Sequence, residues 1–147
     1  MQRRLFLLSS IATGAIALLP RMAFPAWPKA AFEAKTLQGV MHDLFADATP
    51  IESTAIRLEM QEIAQSGAVV PITVSSTLDN VSAISIVVEK NPSPLAARFI
   101  LPPGTEPYVA TRIKMGETSR VIALVQSGDK LYSASMEVKV TIGGCGG

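Results

Sequence analysis

The sequence contains one cysteine, Cys145, and it stands between two glycine pairs, Gly143-Gly144 and Gly146-Gly147, in the final five residues. A thiol offers nucleophilic and redox chemistry, and the thiolate is its reactive form. Four glycines strip the surrounding backbone of side chains and leave it conformationally unrestricted. At ~3.3–3.6 Å per extended residue, three residues past Ile142 carry the sulfur roughly 10 Å beyond the preceding element. A cysteine that serves a core has no use for such a tether. A thiol that must enter a narrow site on another protein does, because any larger neighbour would widen the arm. The expected role of Cys145 is to deliver its thiol into another protein's active site, with Gly143, Gly144, Gly146 and Gly147 as the flexible arm.

A free thiol has a pKa near 8.5, so the thiolate is a minor species at neutral pH. The terminal carboxylate of Gly147 opposes its formation further. Activation is therefore expected inside a partner, and the chain is read as a carrier with no catalytic residue of its own. The alternative is an exported immunoglobulin-like binding or structural module whose lone cysteine only forms intermolecular disulfides. A C-terminal Gly-Gly also serves thiocarboxylate sulfur carriers, but those are small β-grasp domains activated in the cytoplasm, which the leader and strand pattern below oppose.

Counting excludes most other chemistry. There is one histidine, His42, beside the one cysteine. A structural zinc site takes about four N/S ligands and a blue-copper site takes two His and one Cys, so no metal and no cofactor is expected. His42 reads as a solvated or capping helix residue. Asp47, Glu52, Glu59 and Glu62 read as a solvated acidic face rather than a carboxylate site. Arg112, Lys114 and Arg120 are candidates for holding anions on one face, with a solvated strand as the simpler reading. The 147 residues are 48% apolar, 17% charged and 5% aromatic, with a net charge of +1. That length predicts one domain with a real core. The near-neutral charge and scarce aromatics argue against a nucleic-acid partner.

Residues 1–26 read as an address. Arg3 and Arg4 precede Leu5-Phe6-Leu7 and an apolar run ending near Leu19, with Pro20 as a break, which is the layout of a secretory signal. The run is shorter than the ~20 residues a bilayer span needs, so no permanent membrane anchor is expected. The paired arginines with Phe6 and Leu7 match the R-R-x-F-L pattern of twin-arginine export, although Gln2 and Leu8 depart from its usual flanks. Ala23, Ala26 and Ala30 are all candidate cleavage points. Cleavage after residue 26 removes three of the 13 basic side chains and none of the 12 acidic ones, giving a mature net charge of −2. The expected location is the periplasm. That route moves folded proteins, and a partner subunit carried along on one signal would explain its use here.

The elements that must position the arm follow. Residues 30–44 place Leu37, Val40, Met41 and Leu44 on one helical stripe. The stretch to Ile63-Ala64 mixes apolar and charged residues and is expected to add a short helical turn, ended by Gly67. From residue 69 the pattern becomes short strands separated by Pro/Gly turns. Residues 69–75 contain Pro71, which predicts an edge or a bulge. Residues 81–89 alternate and then turn fully apolar. Val109, Thr111, Ile113 and Met115 share a face, and Ser127-Gly128-Asp129 makes a hairpin turn. Residues 130–142 alternate most cleanly, with Tyr132, Ala134, Met136, Val138, Val140 and Ile142 on one side. Six or seven antiparallel strands of this kind predict a mainly β fold, an immunoglobulin-like antiparallel β-sandwich with an N-terminal helical segment. The expected organisation is a signal peptide over 1–26, this domain over 27–142 and the arm over 143–147.

The ending T-I-G-G-C-G-G resembles the C-terminus of the SoxY family, the sulfur-carrying subunits of the SoxYZ complex of bacterial thiosulfate oxidation. The resemblance extends through the leader, G-A-V-V-P-I-T-V at 67–74, V-E-K-N-P-S-P-L at 88–95, T-R-I-K-M-G-E-T-S at 111–119 and E-V-K-V-T-I-G-G-C-G-G at the end. It implies that the cysteine matching Cys145 is joined oxidatively to thiosulfate by a SoxAX-like c-type cytochrome. A SoxB-like dimanganese hydrolase then releases sulfate, a SoxCD-like dehydrogenase oxidises the outer sulfur where present, and a further hydrolysis restores the carrier. It also implies a SoxZ-like subunit as heterodimer partner. Haem and manganese belong to those partners, and this chain is expected to act as a non-enzymatic carrier.

Overall fold

The computed structural model describes residues 26–141; the leader with Arg3 and Arg4, and Ile142 with the Gly143–Gly147 arm and Cys145, lie outside the described residues. Two helices, α1 (Lys29–Glu33) and α2 (Leu37–Phe45), precede nine strands. These are β1 (Ile51–Glu52), β2 (Ile56–Glu59), β3 (Ile63–Ala64), β4 (Val70–Ser76), β5 (Val81–Val88), β6 (Leu95–Ile100), β7 (Tyr108–Ile113), β8 (Ser119–Ser127) and β9 (Lys130–Val140). The larger sheet runs β1-β9-β8-β5-β6 with β3 also on β9, and the smaller runs β2-β4-β7. The expected immunoglobulin-like sandwich is therefore what the chain forms, with one difference. The two-residue strands β1 and β3 both run parallel to β9, so the architecture is not purely antiparallel.

Alternation dictates which side chains meet between the sheets. Val70, Ile72 and Val74 of β4 face Ile84, Ile86 and Val88 of β5 and Val121, Ala123 and Val125 of β8, all buried in one cluster. Each such side chain, fully buried, stabilises the fold by about 1.5–3 kcal/mol relative to exposure. The opposite face of the larger sheet is also apolar where helices cover it. Val87, Leu95, Ile122, Leu124 and Leu131 pack there with Ala31 and Val40 and with Phe45 of α2. This second layer explains why β5 and β8 lose their alternation: they are buried on both faces, and every residue of β5 except Ser82 is buried. The helices cover β9 only at its start, through Leu131, so Ser135, Glu137 and Lys139 on that face stay polar and exposed while Tyr132, Ala134, Met136, Val138 and Val140 pack inward.

One polar group enters the helix-covered face. Arg98 of β6 donates to Ser85 Oγ at 2.9 Å and to Gln126 Oε1 at 2.7 Å, with its guanidinium 5.5 Å from the Phe45 ring centre. Burial pulls its pKa below the ordinary arginine value. The two hydrogen bonds and the cation–π contact compensate the lost hydration.

Two local expectations are corrected. The single helix over 30–44 is two helices, because Ala34 adopts an extended conformation and the Thr36 side chain accepts from the Gly39 N–H at 3.1 Å, capping a new start. The helical turn expected up to Ile63-Ala64 is instead strand. Ile56 and Leu58 alternate inward with Arg57 and Glu59 outward in β2, and the backbone of β3 is satisfied by the edge of β9. Residues 51–64 thus pass from the larger sheet to the smaller and back, sealing one side of the sandwich. Pro71 lies in the central strand of the smaller sheet, but β2 pairs only with Thr73–Ser76. At Pro71 β4 has β7 as its one partner, so the strand is locally an edge there. The β8–β9 hairpin closes through Gly128 with φ 59°, a left-handed value that glycine adopts without a Cβ clash.

Ile84 is fully buried between the sheets, so Ile84→Ala should lower unfolding free energy by about 2–5 kcal/mol in urea titrations. At the end of α2, exposed His42 lies with Nδ1 2.8 Å from Asp47 Oδ2. The hydrogen bond to Asp47 raises its pKa first, followed by the charges of Asp47 and Asp43. A raised folded-state pKa means the pair's stabilisation is full below ordinary histidine pKa values and disappears as pH rises through the folded one. NMR titration should place the His42 midpoint above about 6.5, and Asp47→Asn should lower it.

Candidate functional site

Cys145 itself lies outside the described residues, so the structure bears on the site through the root of the arm, where β9 ends at Val140 and Thr141 follows. Successive backbone N–H groups of a strand point to opposite edges, and at this end each finds a different acceptor. The Lys139 N–H donates to Glu62 O at 2.9 Å and the Thr141 N–H to Ala64 O at 3.0 Å, both in the β3 segment. Between them, the Val140 N–H donates to Thr118 Oγ1 at 3.0 Å on the β8 side. The Thr141 hydroxyl adds a longer contact to Ala64 O at 3.4 Å. β9 is thus hydrogen-bonded on both edges up to the last described residue, and the arm begins from a fixed point.

The loops around that point are also tied down. Met115 N–H donates to Gly67 O at 2.7 Å. The Asn91 amide bridges the neighbouring turn, donating to Lys114 O at 2.7 Å and accepting from the Gly116 N–H at 3.0 Å. Gly67 is required by close approach: a Cβ there would overlap the carbonyl oxygen of Met115 and press on Val140 Cγ1. These segments, residues 65–68 and 115–116, form a shallow cleft with Val140 and Thr141. The sequence marked Gly67 only as the end of a region; Thr118, Asn91 and the β3 clamp carry no signal that composition or periodicity could reveal.

The other candidates are not assembled into a site. Asp47 pairs with His42, and Glu59 lies 2.6 Å from Arg57. Glu52 belongs to β1 and Glu62 precedes β3, so the four carboxylates do not converge, and among the described residues no group of three or more His, Cys, Asp or Glu is placed to hold a metal. Arg112 lies in β7 of the smaller sheet and Lys114 just after it, whereas Arg120 belongs to the larger sheet and pairs with Glu89 at 3.2 Å. The three cations do not form one anion site. No described helix is long and apolar enough to cross a membrane.

Gly67→Ala should move the Gly67–Met115 contact and lower the melting temperature. Hydrogen exchange at Met115, Val140 and Thr141 amides should accelerate while the β5–β8 core amides change little. Uniform acceleration across both groups would show that Gly67 does not act locally.

The comparisons with known proteins bear on the same region. The family model described as "Sulfur oxidation protein SoxY" matches residues 41–145, a segment that runs from α2 to Cys145 itself. No curated protein matches the chain. Among solved structures, the chain is similar to the sulfur carrier protein SoxY from Chlorobium limicola f thiosulfatophilum, at 39% identity and a TM-score of 0.67. That match covers 78% of this chain and 100% of the Chlorobium chain. A sandwich ending in a clamped strand, continued by a glycine-flanked cysteine that the family model includes, belongs to the SoxY family of sulfur oxidation proteins.

Proposed function

We propose that this chain is a periplasmic carrier that holds thiosulfate-derived intermediates covalently on Cys145 and presents them to partner enzymes. The observation that carries the reading is the family match running through Cys145, joined to a strand end that is hydrogen-bonded on both edges where the arm begins. The leader supports export by the twin-arginine route, leaving residues 27–142 as the carrier domain and 143–147 as the arm.

The chemistry balances on the sulfur alone. The Cys145 thiolate and thiosulfate couple to a thiosulfonate, Cys–S–S–SO₃⁻, with loss of two electrons to a SoxAX-like cytochrome. Water attack at the sulfonate sulfur, on a SoxB-like hydrolase, breaks the S–S bond to give sulfate, two protons and the persulfide Cys–S–S⁻. A SoxCD-like dehydrogenase would withdraw electrons from that outer sulfur before a second hydrolysis. A covalently held substrate is not rebound between steps, which keeps reactive sulfur from escaping. The carrier's part is to supply the thiol, keep the arm slim and fix its root. A SoxZ-like subunit would complete the heterodimer.

Intact-mass analysis of the protein purified from thiosulfate-grown cells should show adducts of sulfane and thiosulfonate size confined to the C-terminal peptide. Cells carrying Cys145→Ser should lose thiosulfate oxidation while the protein keeps its melting temperature. Normal oxidation in that strain would overturn the carrier reading and favour a module whose cysteine only cross-links. Loss of carriage on removing Gly147, with Cys145→Ser active, would instead point to thiocarboxylate chemistry.

A further inference from the structure

The helical segment constrains a covalent modification that the sequence leaves open, the bond at which the leader is removed. Ala23, Ala26 and Ala30 each offer the small residue that a leader peptidase takes on the acyl side of its cut. The route read from Arg3 and Arg4 carries chains already folded, so the peptidase meets α1 in place. A protease takes its substrate as an extended chain, paired along its own backbone. Cleavage therefore goes to exposed backbone outside helices and is resisted where the carbonyl is already bonded within one.

Ala30 fails through its backbone, not its side chain. Its methyl group is exposed, but the residue lies inside α1. Its carbonyl, the group a peptidase attacks, accepts from the Ala34 N–H at 2.9 Å. Two residues earlier the Pro28 carbonyl accepts from the Phe32 N–H at 3.3 Å, so the approach to the bond is held as well. A cut after Ala30 would also create an ammonium group on Ala31. That residue is 1% exposed and belongs to the apolar cluster of Val40, Phe45 and Leu95, where a new charge is costly to bury. The same cut would discard Trp27, whose ring stacks on Phe32 with centres 4.5 Å apart and planes 7° from parallel.

Ala26 meets none of these obstacles. It is exposed, lies outside any helix, and precedes the first hydrogen-bonded turn, in which the Trp27 carbonyl accepts from the Lys29 N–H at 2.7 Å. Resting on the reading of residues 1–26 as an export leader, we infer that the leader is cut on the N-terminal side of Trp27, at Ala26 or Ala23, and that α1 excludes Ala30. Ala23 itself lies outside the described residues. Water adds across the amide, leaving a carboxylate on the released leader and an ammonium group on the mature chain. After Ala26 that ammonium belongs to Trp27, which is 70% exposed and keeps it hydrated. The mature chain then retains Trp27, Pro28 and the whole of α1, and the start of that helix sets the limit of processing.

The test expresses the full precursor in a bacterium with a working twin-arginine pathway and reads the N-terminus of the exported chain by sequencing and intact mass. Chains beginning at Trp27 or Phe24 are expected, and a chain beginning at Ala31 would overturn the assignment. Ala23→Leu/Ala26→Leu removes both upstream sites, so the exported precursor should persist uncut. Efficient cleavage after Ala30 in that variant would show that α1 is no barrier. Mature chains made to begin at Trp27 and at Ala31 are then compared by thermal unfolding. The shorter chain should melt at least about 5 °C lower, the shift that a loss of roughly 1 kcal/mol produces in a domain of this size. Equal melting would remove the physical basis of the exclusion. Retention of the uncut wild-type precursor in the cytoplasm would instead count against the leader reading itself.

Discussion

The pairing of β9 is the constraint on which the rest of the molecule depends. Along one edge it forms nine consecutive pairs with β8, from Ser119↔Val138 to Ser127↔Lys130. Along the other edge it holds β1 at its start and β3 at its end. A terminal strand with one free edge would fray, because its last backbone groups could exchange protein partners for water at little cost. Here the final N–H groups alternate between Glu62 and Ala64 on one side and Thr118 on the other. The consequence is positional: the backbone that continues toward Cys145 leaves the sandwich from a fixed point at Thr141.

That arrangement accounts for the path of residues 51–64. A simple hairpin strand could have covered β9 along its whole length, but it would have left the smaller sheet without its β2 edge. The chain instead gives β9 only the pairs it needs at each end and spends the intervening residues on β4. The helices solve a separate problem. A sheet built from Val-, Ile- and Leu-rich strands exposes a second apolar face, and α1 and α2 cover it over β5, β6 and β8. Past Leu131, which the same cluster buries, β9 needs no such cover, and Ser135, Glu137 and Lys139 face outward.

The periodic parts of this design were legible in the sequence. The alternation of 130–140, the shared face of Val109, Ile113 and Met115, and the hairpin at Gly128 all follow from residue types read two apart. The change in β5 from alternation to a fully apolar end was visible as well, and in the structure that strand is buried on both faces, one of them under the helices. What escaped were features set by partners distant in sequence. Two-residue strands such as β1 and β3 are too short to hold a period, and their existence depends on the β9 edge. The break at Ala34–Thr36 was visible only as a threonine inside an otherwise helical stripe, and a cap there competes with continuation of the helix on nearly equal terms. For the site, the sequence singles out Cys145 as the candidate attachment residue, one thiol among four glycines, and the family match runs through it. The root was not legible, since the Thr118 hydroxyl and the Asn91 amide bond to backbone groups distant in sequence, Gly67 acts through its carbonyl and its missing Cβ, and none of these partners is marked in composition.

On the proposed carrier reading, the division between arm and root also explains why no ionisable side chain flanks Cys145. A residue placed near Cys145 to lower its pKa would have to travel with the thiol into every partner site. There it would add bulk and a charge that suits one step and opposes another. An oxidative coupling benefits from the thiolate, whereas release of sulfate leaves a persulfide whose negative charge the next enzyme must accept. On that reading, glycines on both sides add no side-chain charge or bulk beside the sulfur, and each partner would impose its own electrostatics. The described strand end holds Thr141 in place, and the hydrogen bonds that do so are made by backbone groups and by the hydroxyls of Thr118 and Thr141.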